Sequence, residues 1–380
     1  MKFLVLAPLP SAFGEALHGA RLAGALVDRG HAAVVAAPSS VAPTVADPRI
    51  PFVAIDAALP RLDAELPALV ARLGVDVLVL ADAAAVDKVA RAFALSTPRL
   101  AAAAPRVVSL DCWNLVRPPP TWDYGVTAEP LDPWLLQHTP VIRPVPGAPL
   151  ATPGGYAALP AIAPPTPARR HATRRRLAVP EASTVIVWTT ARWQQPDSHD
   201  HPALARTAAR LPELLRPVLA ALGDDVVVAH VAPDPIPAAC RSASYRHVGQ
   251  LAAADFEALL GAADALLSFN AAATSLATAL GLDVPTALGT AHDPGGGARP
   301  LWAWPLSLDG ILAPTVRDNP FYATMVRLDP MRPDDLLAGL RALLFDAALR
   351  DRCRAAQARY RAEVATLPDG AARLLAHVTT

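Results

Sequence analysis

The sequence predicts an α/β protein built of two Rossmann-like domains. Three observations predict it. Short apolar runs alternate with amphipathic stretches through the first third of the chain, the same alternation restarts at Thr184, and a Pro/Gly/Arg-rich stretch separates the two halves. Strands that are apolar throughout, rather than on alternate residues, belong to parallel sheets covered by helices on both faces. A chain of 380 residues has room for two domains of ordinary size.

The elements follow in order. Phe3–Ala7 is an apolar run closed by Pro8, the first strand. Gly14–Arg29 places Leu17, Leu22 and Leu26 at helical spacing and stops at Gly30, a helix-ending glycine. His31–Ala37 and Phe52–Ile55 read as strands, Leu62–Leu73 as a helix ended by Gly74, and Val75–Leu80 as a buried strand. Ala83–Leu95 is helical and Arg106–Leu110 the last regular strand before the pattern breaks. Residues 118–149 are expected to be irregular, and the stretch from 160 to 180, with Arg169, Arg170 and Arg174–Arg176, to be a solvated linker. Beyond it, Thr184–Thr190, Val226–Val231, Tyr245–Val248, Ala265–Phe269 and Val284–Leu288 are strands. Helices are expected at Pro202–Leu222, Ala254–Ala262, Ala273–Leu280, Pro333–Phe345 and Ala347–Leu367. The expected domains are 1–165, 166–350 and a C-terminal helix in 351–380 that packs back towards the first domain.

Composition excludes several classes. The chain is 53% hydrophobic and 18% charged, so it is not a disordered segment. Lys+Arg and Asp+Glu are equal at 34 each, which argues against a nucleic-acid partner. No apolar stretch of about 18 residues runs free of charge or proline, so no membrane partner is expected. Cys112, Cys240 and Cys353 are too far apart for a disulfide framework or zinc site, which points to a reducing, cytoplasmic setting. The opening MKFLVLAPLP reads as a strand, not a signal peptide. GxGxxG, GK[ST], GxSxG, HExxH and CxxC are all missing. His199-Asp200-His201 lacks a nearby third ligand, so no metal is expected.

Two stretches carry a resemblance to a known family. Residues 13–38 (FGEALHGARLAGALVDRGHAAVVAAP), with Arg29-Gly30-His31 before Val34-Val35, resemble the opening helix and second strand of GT-B glycosyltransferases that use nucleotide-sugar donors. Residues 248–289, ending at Val284-Pro285, resemble the donor-binding block of the same family. The resemblance implies two Rossmann-like domains facing each other across a cleft. It also implies transfer of a sugar to a small acceptor in natural-product biosynthesis, with the nucleotide sugar as co-substrate, no other cofactor, and a homodimer as one oligomeric option. The departures are specific. The family's donor-binding Glu falls on Thr278, its Ser on Ser275, its His-Gly-Gly turn on Asn270-Ala271-Ala272, and its catalytic His on Glu15. They leave open a catalytically silent GT-B-like binding or auxiliary subunit, and a GT-B-fold sugar-nucleotide epimerase.

Candidate residues follow from the chemistry such a transfer needs. A diphosphate suits a helix N-terminus, so Asn270, Thr274 and Ser275 are donor-binding candidates, against helix capping by Asn270 or Thr274. Thr190 and Arg192 follow the first strand of the second half, where open α/β sheets hold ligands; the competing reading of Arg192 is a structural ion pair. His247 and Val248 stand where the family reads the nucleotide base, and Asp293 where it holds sugar hydroxyls. Glu15, and after it His18, are candidates for deprotonating the acceptor. Asp111, Trp113 and Asn114 end a strand of the first half and are candidates for the acceptor pocket.

Overall fold

The computed structural model describes residues 1–10, 13–112, 121–123, 128–130, 132, 140–159, 162, 165–198, 202–290 and 319–379. The chain divides into two compact units. One comprises Met1–Asp123, Thr127–Ala158 and Glu363–Thr380, and the other runs through Leu159–Ala362.

The first unit is a parallel sheet of seven strands: β1 (Lys2–Leu6), β2 (Ala32–Ala37), β3 (Phe52–Ala54), β4 (Val77–Leu80), β5 (Arg106–Leu110), β8 (Val141–Val145) and β9 (Gly155–Ala157). Their order across the sheet is β3-β2-β1-β4-β5-β8-β9, so the direction of winding reverses between β1 and β4. A separate antiparallel pair, β6 (Thr121–Asp123) and β7 (Ala128–Pro130), lies in the intervening segment. Helices α1 (Phe13–Asp28), α2 (Ala42–Val45), α3 (Leu62–Leu73), α4 (Ala83–Ala92) and α5 (Thr97–Ala101) complete the crossovers. Leu4, Leu6, Leu62, Leu66, Leu78, Leu80 and Val86 form the centre of one core. Helix α1 lies close on the sheet because Gly19 has no side chain: a Cβ there would come 2.6 Å from Val5 Cγ1. That close seating fixes where Glu15, one turn earlier, meets the ends of the strands.

The second unit repeats the plan. Its sheet is β10 (Thr184–Thr189), β11 (Val226–Val231), β12 (Tyr245–His247), β13 (Ala265–Ser268), β14 (Thr286–Gly289) and β15 (Val326–Leu328), all parallel, in the order β12-β11-β10-β13-β14-β15. Winding reverses between β10 and β13. Helices α6 (Pro167–Arg176), α7 (Pro202–Ala221), α8 (Ala253–Gly261), α9 (Thr274–Gly281), α10 (Pro333–Phe345) and α11 (Ala347–Val364) follow in sequence. Trp188, Leu215, Val228, Leu267, Phe269, Leu336 and Leu340 meet in its core.

Four expectations need correction. Residues 118–149 are not wholly irregular, because β8 lies within them and extends the first sheet. The prolines concealed it. Pro144 has no N–H, but β8 pairs with β5 only at Val141 and Ile142, so the missing donor falls beyond that ladder. The arginine-rich stretch is a helix, α6, rather than a solvated linker. Buried Arg174 bonds the carbonyls of Ala262, Glu181 and Ser183 and pairs with Asp264 at 2.8 Å, while Arg170 pairs with the same carboxylate. A strand, β15, stands in the segment expected to be loop up to Met331. Finally, the C-terminal residues are not one helix. The chain passes from the second unit to the first at Ala362/Glu363, α11 ends at Val364, and after a short turn the chain restarts as α12 (Gly370–Val378). Asp369 caps α12 by accepting from Ala372 N–H at 3.0 Å and pairs with Arg29. A Cβ on Gly370 would come 2.8 Å from the Tyr156 ring, so glycine allows α12 to seat against β9.

Candidate functional site

In open α/β sheets, ligands settle at the carboxyl ends of the strands where winding reverses. In the second unit that place is the end of β10 beside β13. Thr189 and Thr190 stand there half-buried, Ser268 ends β13, and Asn270 follows it in the turn. Helix α9 then starts beside them. Its N-cap is Ala273, which makes no side-chain capping bond, so the expected capping by Asn270 or Thr274 does not occur. Instead the Asn270 carboxamide accepts from Ala272 N–H at 2.9 Å and shapes the turn before the helix. Ser275, in the first turn, brings its hydroxyl to 3.3 Å from that of Thr189. The result is a pair of hydroxyls beside a helix N-terminus that lacks a side-chain cap, a setting that favours an anion.

Thr190 is held from behind. Its hydroxyl lies 2.8 Å from His230 Nε2, and His230 Nδ1 lies 2.8 Å from the Tyr245 hydroxyl. The imidazole is stacked on Trp188 at 4.0 Å, and burial, then the nearby His247, lowers its pKa to about 3. Past Thr190, Gln194 accepts from Ala191 N–H at 3.0 Å, while its buried amide nitrogen has no partner among the described residues. Buried polar atoms in folded proteins are ordinarily bonded, so such a donor stands out.

The other donor-side candidates differ in what they are doing. Arg192 opens a short 3-10 turn directly after β10 and pairs with Asp234 at 3.4 Å; both side chains are about half exposed, so the competing ion pair exists but is a weak one. His247 donates its Nε2–H to the Ala232 carbonyl at 3.0 Å, and Val248 N–H donates to the His230 carbonyl at 2.9 Å. Those two donors are taken within the protein, so a base at this place would meet other atoms of His247 and Val248. Thr278, on the position of the family's Glu, bonds back to the Thr274 carbonyl of its own helix at 3.2 Å. Asp293 lies outside the described residues, as do His199-Asp200-His201.

In the first unit the corresponding place is the end of β1 beside β4. Glu15 stands half-buried in the first turn of α1. Its neighbour in the field is Asp82, the N-cap of α4, whose oxygens accept from Ala85 N–H at 2.9 Å and Cys112 N–H at 3.0 Å. Burial, then the charges of Glu15 and Asp111, push Asp82 up to about 8. Burial lowers Lys88, which Glu15 partly offsets. Glu15 therefore shares its surroundings with a second carboxyl group and an ammonium.

His18 is a different matter. It is buried, and desolvation followed by Arg21 holds its pKa down at about 3. An imidazole so buried and so weakly basic is less suited than Glu15 to accept a hydroxyl proton near neutrality. Asp111 is likewise buried and paired with Arg143 at 3.1 Å, so it braces β5 against β8 instead of presenting a free carboxylate. Trp113 and Asn114 lie outside the described residues. Sequence reasoning missed Asp82, His230 and Tyr245. The first two carried a signal: each is a lone polar residue closing an otherwise apolar run, VLVLAD and VVVAH.

Among the described residues no group of three or more His, Cys, Asp or Glu is placed to hold a metal ion, and no helix is long and apolar enough to cross a membrane. Comparison with solved structures gives full-length likenesses at low identity. Spinosyn forosaminyltransferase SpnP is 17% identical with a TM-score of 0.58, each chain covered to 100%. Glycosyltransferase VinC, solved in complex with DTDP, is 16% identical at a TM-score of 0.56, covering 100% of this chain and 99% of VinC. Spinosyn rhamnosyltransferase SpnG, solved with thymidine diphosphate, is 15% identical at a TM-score of 0.55 over 100% of both chains. Two parallel sheets with helices, matched along their whole length to these proteins, make the fold GT-B. No curated protein matches the sequence. A family described as of unknown function, DUF6365, matches residues 22–294 and 288–379. With nearly the whole length matched, the chain belongs to that family of unknown function, DUF6365, and carries it on a GT-B fold.

Proposed function

We propose that the protein is a metal-independent glycosyltransferase that moves a sugar from a nucleotide-sugar donor to a small acceptor. The observation that carries this reading is the hydroxyl pair of Thr189 and Ser275, with Thr190 next in the chain, beside the uncapped N-terminus of α9, at the winding reversal of the second sheet. The donor diphosphate binds there, assisted by Arg192, with Asn270 and Thr274 shaping the turn. Glu15 takes the acceptor's hydroxyl proton, the freed oxygen bonds to the anomeric carbon, and the electron pair of the breaking C–O bond leaves on the diphosphate. Helix dipole, hydroxyls and guanidinium offset that charge without a metal. Natural-product biosynthesis in the cytoplasm, as a monomer or homodimer, is the setting that fits; VinC and SpnG binding thymidine diphosphates supports the donor class.

Thr278 favours one other reading. Turned into its own helix, it offers no carboxylate to a ribose, as a silent GT-B-like auxiliary subunit would not need to. Calorimetric titration with a panel of nucleoside diphosphates separates the two. The transferase is expected to bind one member with micromolar affinity; binding none of them supports the auxiliary subunit.

A further inference from the structure

The hydrogen bonds behind Thr190 have a direction. Ile236 N–H donates to the Tyr245 hydroxyl oxygen at 3.2 Å, so that phenol must spend its own hydrogen on a different partner. The acceptor within reach is His230 Nδ1. A neutral imidazole that accepts at Nδ1 carries its hydrogen on Nε2. Nε2–H therefore donates to the Thr190 hydroxyl oxygen. The opposite tautomer would leave the phenol hydrogen of buried Tyr245 without an acceptor, a costly arrangement. His230 stays neutral because it is buried against the face of Trp188, and a second proton would leave both nitrogens donating, one of them at the phenol's own hydrogen.

At the outer end, the backbone N–H of Thr190 is bonded to the Val231 carbonyl. Its hydroxyl oxygen already accepts from His230, and the hydroxyl hydrogen finds no acceptor among the described residues. A threonine hydroxyl normally turns to suit its partner. Here one of its two lone pairs is already taken by His230, which favours donation to a ligand.

We propose that Tyr245 and His230 are positioning residues that bias Thr190 towards donating, so that the end of β10 favours an anionic oxygen over a donating group. This rests on the donor-binding role proposed above for the end of β10. The anion it selects is a phosphate oxygen of the nucleotide donor. Preorganising the hydroxyl removes the cost of reorienting it when the anion arrives. Ser275 and Thr189 face each other and either can donate, so Thr190 alone among these hydroxyls has its sense biased from within the protein.

The test has two arms. In nitrogen-15 spectra of histidine-labelled protein, with the His230 signal assigned by its loss in His230→Gln, the hydrogen is expected on Nε2 and Nδ1 is expected bare. A hydrogen on Nδ1 overturns the proposal. In the second arm, UDP, TDP and pyrophosphate are titrated into wild type, Thr190→Val, Thr190→Ser, His230→Gln and His230→Phe, with the thermal midpoint of each variant recorded. Thr190→Val is expected to weaken binding about tenfold, and Thr190→Ser to restore it. His230→Gln keeps an amide donor for Thr190 and should stay near wild type. His230→Phe keeps a ring on Trp188 but frees the hydroxyl, and should bind less tightly even where it folds normally. Thr190→Val binding as tightly as wild type overturns the proposal. If wild type binds pyrophosphate but neither nucleotide, the donor reading fails, and the tautomer and the Thr190 variants with pyrophosphate still decide the relay.

Discussion

Thr189 and Ser275 place their hydroxyl oxygens 3.3 Å apart, joining the last residue of β10 to the first turn of α9. The two are 86 positions apart in the chain, and they meet because β10 and β13 are neighbours at the reversal of strand order. That single contact ties the two features that attract an anion, a strand end and a helix N-terminus, into one place.

Arg192 flanks this place from the 3-10 turn that follows β10. Its pair with Asp234 is half exposed and long, so it adds little to stability. Arg192→Ala is expected to raise the nucleotide Kd at least tenfold, about 1.4 kcal/mol, with a nearly unchanged urea midpoint. Unchanged affinity in calorimetry would remove Arg192 from the site.

Glu15→Gln keeps the shape of the side chain but not its basicity. It is expected to cut kcat by about 10²–10⁴-fold while nucleotide affinity holds. His18→Gln is the matched control. Because His18 is buried with a pKa of about 3, its effect should appear in stability and not in kcat. A large kcat loss there, with normal Glu15→Gln turnover, would hand the role back to the histidine.

Arg143 and Asp111 form a nearly buried pair between β8 and β5. Arg143→Met leaves the Asp111 carboxylate buried without its cation and should cost about 3–5 kcal/mol. Adding Asp111→Asn to that variant removes the stranded charge and should recover part of the loss. Urea unfolding of the two variants checks both; equal stability would mean that the pair does not brace the sheet.

The depressed pKa of His18 gives stability a pH dependence of defined sign. Unfolded, the imidazole titrates at 6.5; folded, it stays neutral down to about 3. Its contribution is therefore complete above 6.5 and is lost as pH falls from there towards 3, by up to about 1.4 kcal/mol per pH unit. His230 acts in the same sense, and Asp82, pushed upward, in the opposite one. In His18→Gln the latter two remain, so unfolding free energies measured from pH 7 to pH 4 should fall less steeply than in wild type. Identical slopes would show that His18 is solvated.

Much of the fold was legible in the sequence. Runs such as FLVL, VLVL and TVIVW are apolar throughout because both faces of a parallel strand are covered, and helix ends at Gly30 and Gly74 were marked by glycine. β8 was not legible, since Pro144 within it argues against a strand unless one knows that pairing with β5 stops before that residue. Nor was α6, whose arginines look solvated until Asp264, from a distant strand start, is brought beneath Arg170 and Arg174.

The candidate site divides in the same way. By itself the sequence determined which segments end at the carboxyl edges of the sheets, and so put Thr190 and Arg192 forward from local alternation of strand and helix, while the resemblance to GT-B glycosyltransferases added Glu15, Asn270 and Ser275. Only the tertiary structure decided what each of them can do. It buried His18, paired Asp111 with Arg143, turned Thr278 into its own helix, and set Tyr245 and His230 behind Thr190. A side chain's charge, direction and partners depend on which distant segments fold against it, and no local pattern carries that information.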